Sequence, residues 1–514
     1  MAVNCRGRCG GSAPAEGVAE ALPLERDGAG AKGETSPYSI IYWCNENVRT
    51  DLNWESYFMR KFVVLLCLAT ATALAEKIQV PPVTRDTLEN GLTVLLMQYK
   101  KVPVVHLRLV VFGGSALDPD SLPGVASMTA AIMREGTETR TSTEISEAID
   151  FVGGSLSVSA GQDYCAANAQ VLKKDLEIGL NLFSDIIRNP VFPDEEINRE
   201  REQRLAQLDA LKEEASTIAS MVFSKKVYAT HPYGRQTSGT RASLAFMIRD
   251  DLVEFHRSGF VPNNAILAVV GDFEQVEMLQ SIKIHFADWQ RGSRQNHRLA
   301  KPSIASGRNV VLVKKPDATQ TQIRIGNTGI DIKNPDRFAL EVAITVFGGG
   351  FTSRLAEEVR VKRSLTYGIS SRFPSNLFGG TFVIGTFTKN ETVSETIDVV
   401  LDELKKFREK GMTKDELQKA QNYIAGDFAR DLQTPEALAS QITDIELYAF
   451  PKNYLETYIQ IIRNIRLEDV QRVIRTYFHL DDLVFVLVGP GEVVRPQAEK
   501  YGKVGMMELD EVVE

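Results

Sequence analysis

The sequence predicts an α+β fold built as two tandem homologous domains, each an antiparallel-rich sheet covered by helices. Two observations carry most of that reading. Strand-like runs recur at a nearly constant offset: Val104-Val105-His106-Leu107-Arg108-Leu109 is echoed by Gln320-Thr321-Gln322-Ile323-Arg324-Ile325, with Leu107 and Ile323 216 residues apart. Ala265-Ile266-Leu267-Ala268-Val269-Val270-Gly271 is echoed by Leu483-Val484-Phe485-Val486-Leu487-Val488-Gly489, with Gly271 and Gly489 218 residues apart. Within each half, short β-branched runs alternate with long amphipathic patterns such as residues 172–188 and 393–410. Such mixing suits helices laid on one face of a sheet. At about 100–200 residues per domain, a chain of 514 residues holds two such halves together with flanking segments.

Taken in order, residues 1–58 are rich in Gly, Ala and Cys and show neither helical nor strand period, so they read as a misassigned extension ahead of a true start at Met59. Residues 59–75 have the make-up of a secretory signal peptide: Arg60 and Lys61, an apolar run, and Ala73-Leu74-Ala75 before Glu76. The run is shorter than the ~20 apolar residues of a spanning helix, so no stable membrane span is expected. Cys67 follows the bulky Leu66, which fits a lipoprotein signal poorly. A first domain is then expected over 76–291, a linker over 292–308 punctuated by Gly292, Pro302 and Gly307, and a second domain over 309–514.

Composition excludes several functions. The chain is 43% hydrophobic and 25% charged with a net charge of −8, and its Lys and Arg are interspersed with Glu and Asp, so no phosphate-binding face and no nucleic-acid partner are expected. Four of the five cysteines, Cys5, Cys9, Cys44 and Cys67, precede the expected cleavage. The remaining Cys165 has no partner for an internal disulfide, which agrees with export, and its alternating surroundings make it a small buried strand residue. The six histidines (106, 231, 256, 285, 297 and 479) include no two within five residues of each other, so no local imidazole pair offers a metal site.

Residues 122–137 place Ser127, Ala130 and Ala131 inside a helical pattern that ends in Gly136-Thr137. Its frame resembles the zinc helix of the insulinase (pitrilysin-like) metallopeptidases, whose pattern is Gly-x-x-His-x-x-Glu-His followed by Gly-Thr. On such a helix the two His at i and i+4 share a face and hold Zn²⁺, with Glu as general base. The resemblance puts Ser127, Ala130 and Ala131 at those three positions and Gln207, in the later pattern 195–208, at the place of the family's third ligand. All four are therefore degenerate metal-site positions. The frame extends over most of residues 86–490. Thr87-Leu88-Glu89-Asn90-Gly91-Leu92, Asp150-Phe151-Val152-Gly153-Gly154, His231-Pro232-Tyr233-Gly234-Arg235, Pro262-Asn263-Asn264-Ala265 and Val269-Val270-Gly271-Asp272-Phe273 are each similar to family segments, in the family's order.

In the second half, Phe347-Gly348-Gly349-Gly350-Phe351 leads to Arg360 and, seven residues on, to Tyr367. This resembles the family's C-terminal substrate segment, in which an Arg and a Tyr reach the scissile peptide of the opposing active site. The triple Gly is no phosphate loop, since Gly-x-x-x-x-Gly-Lys-Ser/Thr is absent. By residue type alone, Arg360 reads as part of an exposed charged helix face and Tyr367 as part of a core strand; only the resemblance turns that reading around. The resemblance implies half of a clamshell and a substrate-binding role for Arg360 and Tyr367. It further implies a non-catalytic subunit of a heterodimeric zinc peptidase: no metal or other cofactor in this chain, zinc in a partner of the same family bearing the His-x-x-Glu-His motif, and peptide substrates. The expected location is outside the cytoplasm, in a bacterial periplasm. The alternative is an exported peptide-binding or scaffold protein with the same fold and no enzymatic role.

Overall fold

A computed structural model describes residues 80–293 and 299–513. The expected extension, the signal peptide and the middle of the linker lie outside the described residues, as do Cys5, Cys9, Cys44, Cys67 and His297. The first half runs β1 (Val83–Thr87), β2 (Thr93–Gln98), β3 (Val104–Phe112), α1 (Val125–Ile132), α2 (Ser142–Phe151), β4 (Ser155–Ala160) and β5 (Tyr164–Leu172). It continues through α3 (Leu176–Arg188), α4 (Asp194–Ala210), α5 (Ala215–Tyr228), α6 (Arg241–Phe246), α7 (Arg249–Gly259), β6 (Ala265–Gly271) and α8 (Gln275–Phe286). The second half holds β7 (Arg308–Lys314), β8 (Gln320–Thr328), α9 (Arg337–Ile344), β9 (Ile369–Arg372), β10 (Ser375–Asn376), β11 (Gly379–Lys389), α10 (Val393–Lys410) and α11 (Lys414–Asp431). It closes with α12 (Pro435–Leu447), α13 (Tyr454–Asn464), α14 (Leu467–Tyr477), β12 (Leu483–Gly489), α15 (Gly491–Ala498), β13 (Val504–Met507) and α16 (Asp510–Val513).

Local chemistry accounts for the longer elements. In α10, Val393, Ile397, Val400, Leu404 and Phe407 are all buried and recur at three- and four-residue steps, a single apolar stripe. The helix stops at Gly411, whose φ of 67° suits glycine. Thr413 then opens α11 by a capping box with Glu416, each side chain serving the other's backbone N–H.

The first sheet has strand order β1-β2-β6-β3-β5-β4 and the second β10-β11-β8-β12-β7-β13, with β9 also pairing β11. The echoing strands fall in equivalent places. β3 is antiparallel to both β5 and β6, and β8 is antiparallel to both β11 and β12. β2 is parallel to β6 in the first sheet as β7 is to β12 in the second, where β13 adds a further parallel pair with β7.

Helices were expected on one face of each sheet, and the structure adds a reciprocal exchange on the other. From the first half, α5 lies against β12 and β8 of the second sheet, burying Ile218, Val222 and Phe223 among Val484, Val486 and Val488. From the second half, α12 lies against β6 and β3 of the first sheet, and Leu438, Ala439 and Ile442 join Ala268 and Val270 in the largest core. Polar bonds sew the same junction. Asp163 accepts from the Leu377 amide at 2.8 Å and from the Tyr233 hydroxyl, and Gln162 pairs with Asn376. Among the described residues no helix is long and apolar enough to cross a membrane.

Candidate functional site

The positions that the resemblance gives to a metal site lie on α1 and α4, which meet. Gly124 precedes α1 at φ 95°, and a Cβ there would stand 2.4 Å from the Gly239 Cα, so only glycine fits. The Asp118 carboxylate accepts from the Gly124 and Ala126 amides at 2.6 and 3.1 Å, closing the helix start. Burial pushes this carboxyl up to about 7 against those donors and Arg235. Ala130 is buried, whereas Ser127 and Ala131, four residues apart, are half-buried and share a face.

Across from α1, the first turn of α4 carries Asp194, Glu195 and Glu196, acids that favour a helix N-terminus. Gln207 near its end is exposed, and it borders a recess of about 720 Å³ shared with Arg235 and Lys225. The link between the helices is Arg204, which is only 7% exposed. Its Nη2 donates to the Ser127 carbonyl at 3.0 Å, its Nη1 to the Ser238 carbonyl at 3.2 Å, and its Nε to Glu200 at 2.7 Å. The two helices meet through Arg204, and the side chains at the four positions offer a hydroxyl, two methyls and an amide. Zn²⁺ takes thiolate, imidazole or carboxylate, so this frame does not fit the ion.

The described histidines are occupied otherwise or stand alone. His231 accepts from the Tyr233 amide and caps a short turn, His256 bonds the Ile187 carbonyl at 2.8 Å, and His285 lies between Ser184 and Glu177. His106, on β3, is buried with both ring nitrogens unpartnered, and burial lowers its pKa. Among the described residues no three His, Cys, Asp or Glu are grouped to hold a metal. Cys165 is buried on β5 as expected, and burial pushes its thiol far up.

The second candidate lies in the other half. Arg354 grips Glu416 with two bonds, at 2.7 and 2.8 Å, tying the segment to the start of α11. A π-helical stretch, Ala356–Lys362, carries Arg360, whose guanidinium sits 4.5 Å from the Phe351 ring centre. Phe351 is itself 78% exposed, and Tyr367 is 85% exposed, so the tyrosine belongs to no core strand. Its turn is nonetheless pinned. Thr366 Oγ1 accepts from the Gly368 amide at 3.0 Å, Thr386 donates to the Gly368 carbonyl at 3.0 Å, and Thr388 donates to the Leu365 carbonyl at 2.7 Å. The phenol is thus exposed on a backbone that these bonds hold in place. These threonines and Arg204 were not singled out in the sequence; only the Glu200–Arg204 spacing of four hinted at a helical pair.

Comparison with known proteins agrees with this layout. Residues 93–241 match the family described as Insulinase (Peptidase family M16), and residues 247–424 match the Peptidase M16 inactive domain. An uncharacterized zinc protease of Mycobacterium leprae is 26% identical over 392 residues, spanning 76% of this chain and 87% of that protein. One from Bacillus subtilis is 23% identical over 411 residues, spanning 79% and 98%. A Pseudomonas fluorescens structure described as a peptidase M16 inactive domain superposes with a TM-score of 0.75 at 26% identity, over 80% of this chain and 98% of that one. A protease from Helicobacter pylori shares the fold at a TM-score of 0.73 and 21% identity, over 80% and 100%. With both domains matched in order along one chain and the same architecture over four-fifths of it, the protein belongs to the insulinase family of peptidases, family M16.

Proposed function

We propose that this chain is the non-catalytic subunit of a heterodimeric insulinase-family zinc peptidase, and that it lends Arg360 and Tyr367 to a partner's active site. The observation that carries the reading is the pairing of a metal frame without donors with an exposed phenol on a turn held by three threonines. Packing does not require that phenol. A tyrosine hydroxyl can donate to the oxyanion that builds up when a peptide carbonyl is attacked, and a guanidinium can hold a peptide carbonyl or carboxylate. Zinc, held by the partner, would supply the Lewis acid and the activated water. The relatives described as zinc proteases make a peptide the natural substrate class.

The chain alone should hold no stoichiometric zinc and cleave no peptide, while mixing it with its zinc-bearing subunit should switch activity on. Elemental analysis and a peptide-hydrolysis assay check both halves of that statement. One tightly held zinc per chain with chelator-sensitive cleavage would overturn it. Export belongs to the same reading, with the mature protein starting at Glu76 in the periplasm, as N-terminal sequencing of the exported protein would read.

A further inference from the structure

The face of the second sheet turned toward α5 is covered over β12 and part of β8, but a recess stays open along the rest of β8 and over β11 and β9. The opening is a recess of about 570 Å³, with Arg324, Gln322 and Gly385 on its floor and Arg372 at its rim. Register explains the floor: Gly385 on β11 sits between Arg324 on β8 and Ser370 on β9. Ser216, Ser220 and Ser224 line it from α5, and their four-residue steps put them on one helix face. The charge is one-sided. No acidic residue lines the recess, although Asp and Glu outnumber Lys and Arg by 67 to 59 in the chain. Among the described residues neither Arg324 nor Arg372 forms an ion pair. Arg324 makes only neutral bonds, to Ser220 Oγ at 3.2 Å, to Ser216 Oγ at 2.7 Å and carbonyl oxygen at 3.0 Å, and to the Ile323 carbonyl at 3.0 Å. Burial lowers its pKa with no carboxylate opposing. A guanidinium withdrawn from water without a counter-charge is costly, and an anion relieves that cost.

Glycine keeps the recess open. A Cβ at position 385 would lie 3.5 Å from the Arg324 side chain, so any larger residue there covers the guanidinium. The floor runs directly into Gly368, the residue after Tyr367.

We infer that this recess is a carboxylate-binding subsite, in which Arg324 and Arg372 receive the C-terminal carboxylate or an acidic side chain of a peptide whose chain passes Tyr367. The inference rests on the reading that the protein handles peptides, but not on the partner subunit. Arg324 is pre-positioned by its serine bonds, and Arg372, exposed at the rim, closes on the same group from the β9 side.

Fluorescence anisotropy on the full mature chain tests it with three labelled pools of random neutral peptides: one ending in a free carboxylate, one amidated, and one amidated with an internal Glu. The free-acid pool should bind about tenfold tighter than the amidated pool, the size of one charge-assisted bond. Tighter binding of the Glu pool as well would identify side chains as a second source of the carboxylate. Arg372→Gln and Gly385→Val, neither of which removes core packing, should each abolish the difference. Equal binding of acid and amide pools would overturn the subsite while leaving peptide handling intact. Binding of no pool would overturn both. Unchanged discrimination in both variants would also overturn the assignment to this recess.

Discussion

Arg204 is the residue that braces α4 against α1. Three bonds from one guanidinium join α4 to the Ser127 carbonyl of α1, to Ser238 and to Glu200. Removing it takes one bond from each of two partly buried carbonyls and leaves a partly buried Glu200 without its partner, a loss on the order of 2 kcal/mol. Arg204→Met, which keeps most of the apolar stem, should therefore lower the urea midpoint with an unchanged slope; a midpoint equal to wild type would show that the brace is ornamental. Asp444 gives a different residue-scale test. Burial pushes its carboxyl up to about 6, with Arg108 opposing, and its Oδ1 has no partner. A folded pKa above the ordinary 3.8 means that the folded state holds the proton more tightly than the unfolded one. Its contribution is fully present below pH 3.8 and lost as pH rises through about 6. Asp444→Asn should accordingly stabilise the protein at pH 8 by roughly 3 kcal/mol and by well under ~1 kcal/mol at pH 4. Denaturant unfolding at the two pH values reads this directly, and a gain of equal size at both would contradict the assignment.

At the scale of elements, α5 and α12 decide how the halves relate. Their starts, Ala215 and Pro435, are 220 residues apart, close to the offset of the echoing strands, so the exchange obeys the internal repeat. Because α5 carries Phe223, 4% exposed, into the second sheet, Phe223→Ala should cost ~3–5 kcal/mol and should destabilise both halves together. A calorimetric trace that instead splits into two transitions, only one of them moved, would show that the halves are independent. The exchange also marks where sequence reasoning stopped. The helix expected over 393–410 is α10 to the residue, because its apolar stripe is written in the sequence, and the echoing strands lie in equivalent positions because alternation and offset fix them. Which sheet a helix covers is not local information; nothing in the residues of α5 says which sheet receives it. The same holds for the candidate site. Ser127, Ala130, Ala131, Gln207, Arg360 and Tyr367 were picked out in the sequence only through the family resemblance, and the exposure of Tyr367 was not legible there. The threonines that pin Tyr367 come from β11 and from its own turn, and only the fold brings them together.

On the scale of the whole molecule, the described residues form one compact unit, with the donor-free frame in the first half and the exposed phenol in the second. In a two-chain clamshell the second half of each subunit would face the first half of the other, so Tyr367 could serve only a peptide held at the partner's zinc. The most direct measurement is turnover of the mixed complex carrying Tyr367→Phe in this chain. The phenylalanine keeps the ring and removes one donor, and the residue is too exposed to hold the fold, so assembly should persist by gel filtration while turnover falls ~10²–10³-fold. A complex that forms with the variant and cleaves peptides at the wild-type rate would contradict the complementation of a partner's active site and leave the peptide-binding scaffold as the better account.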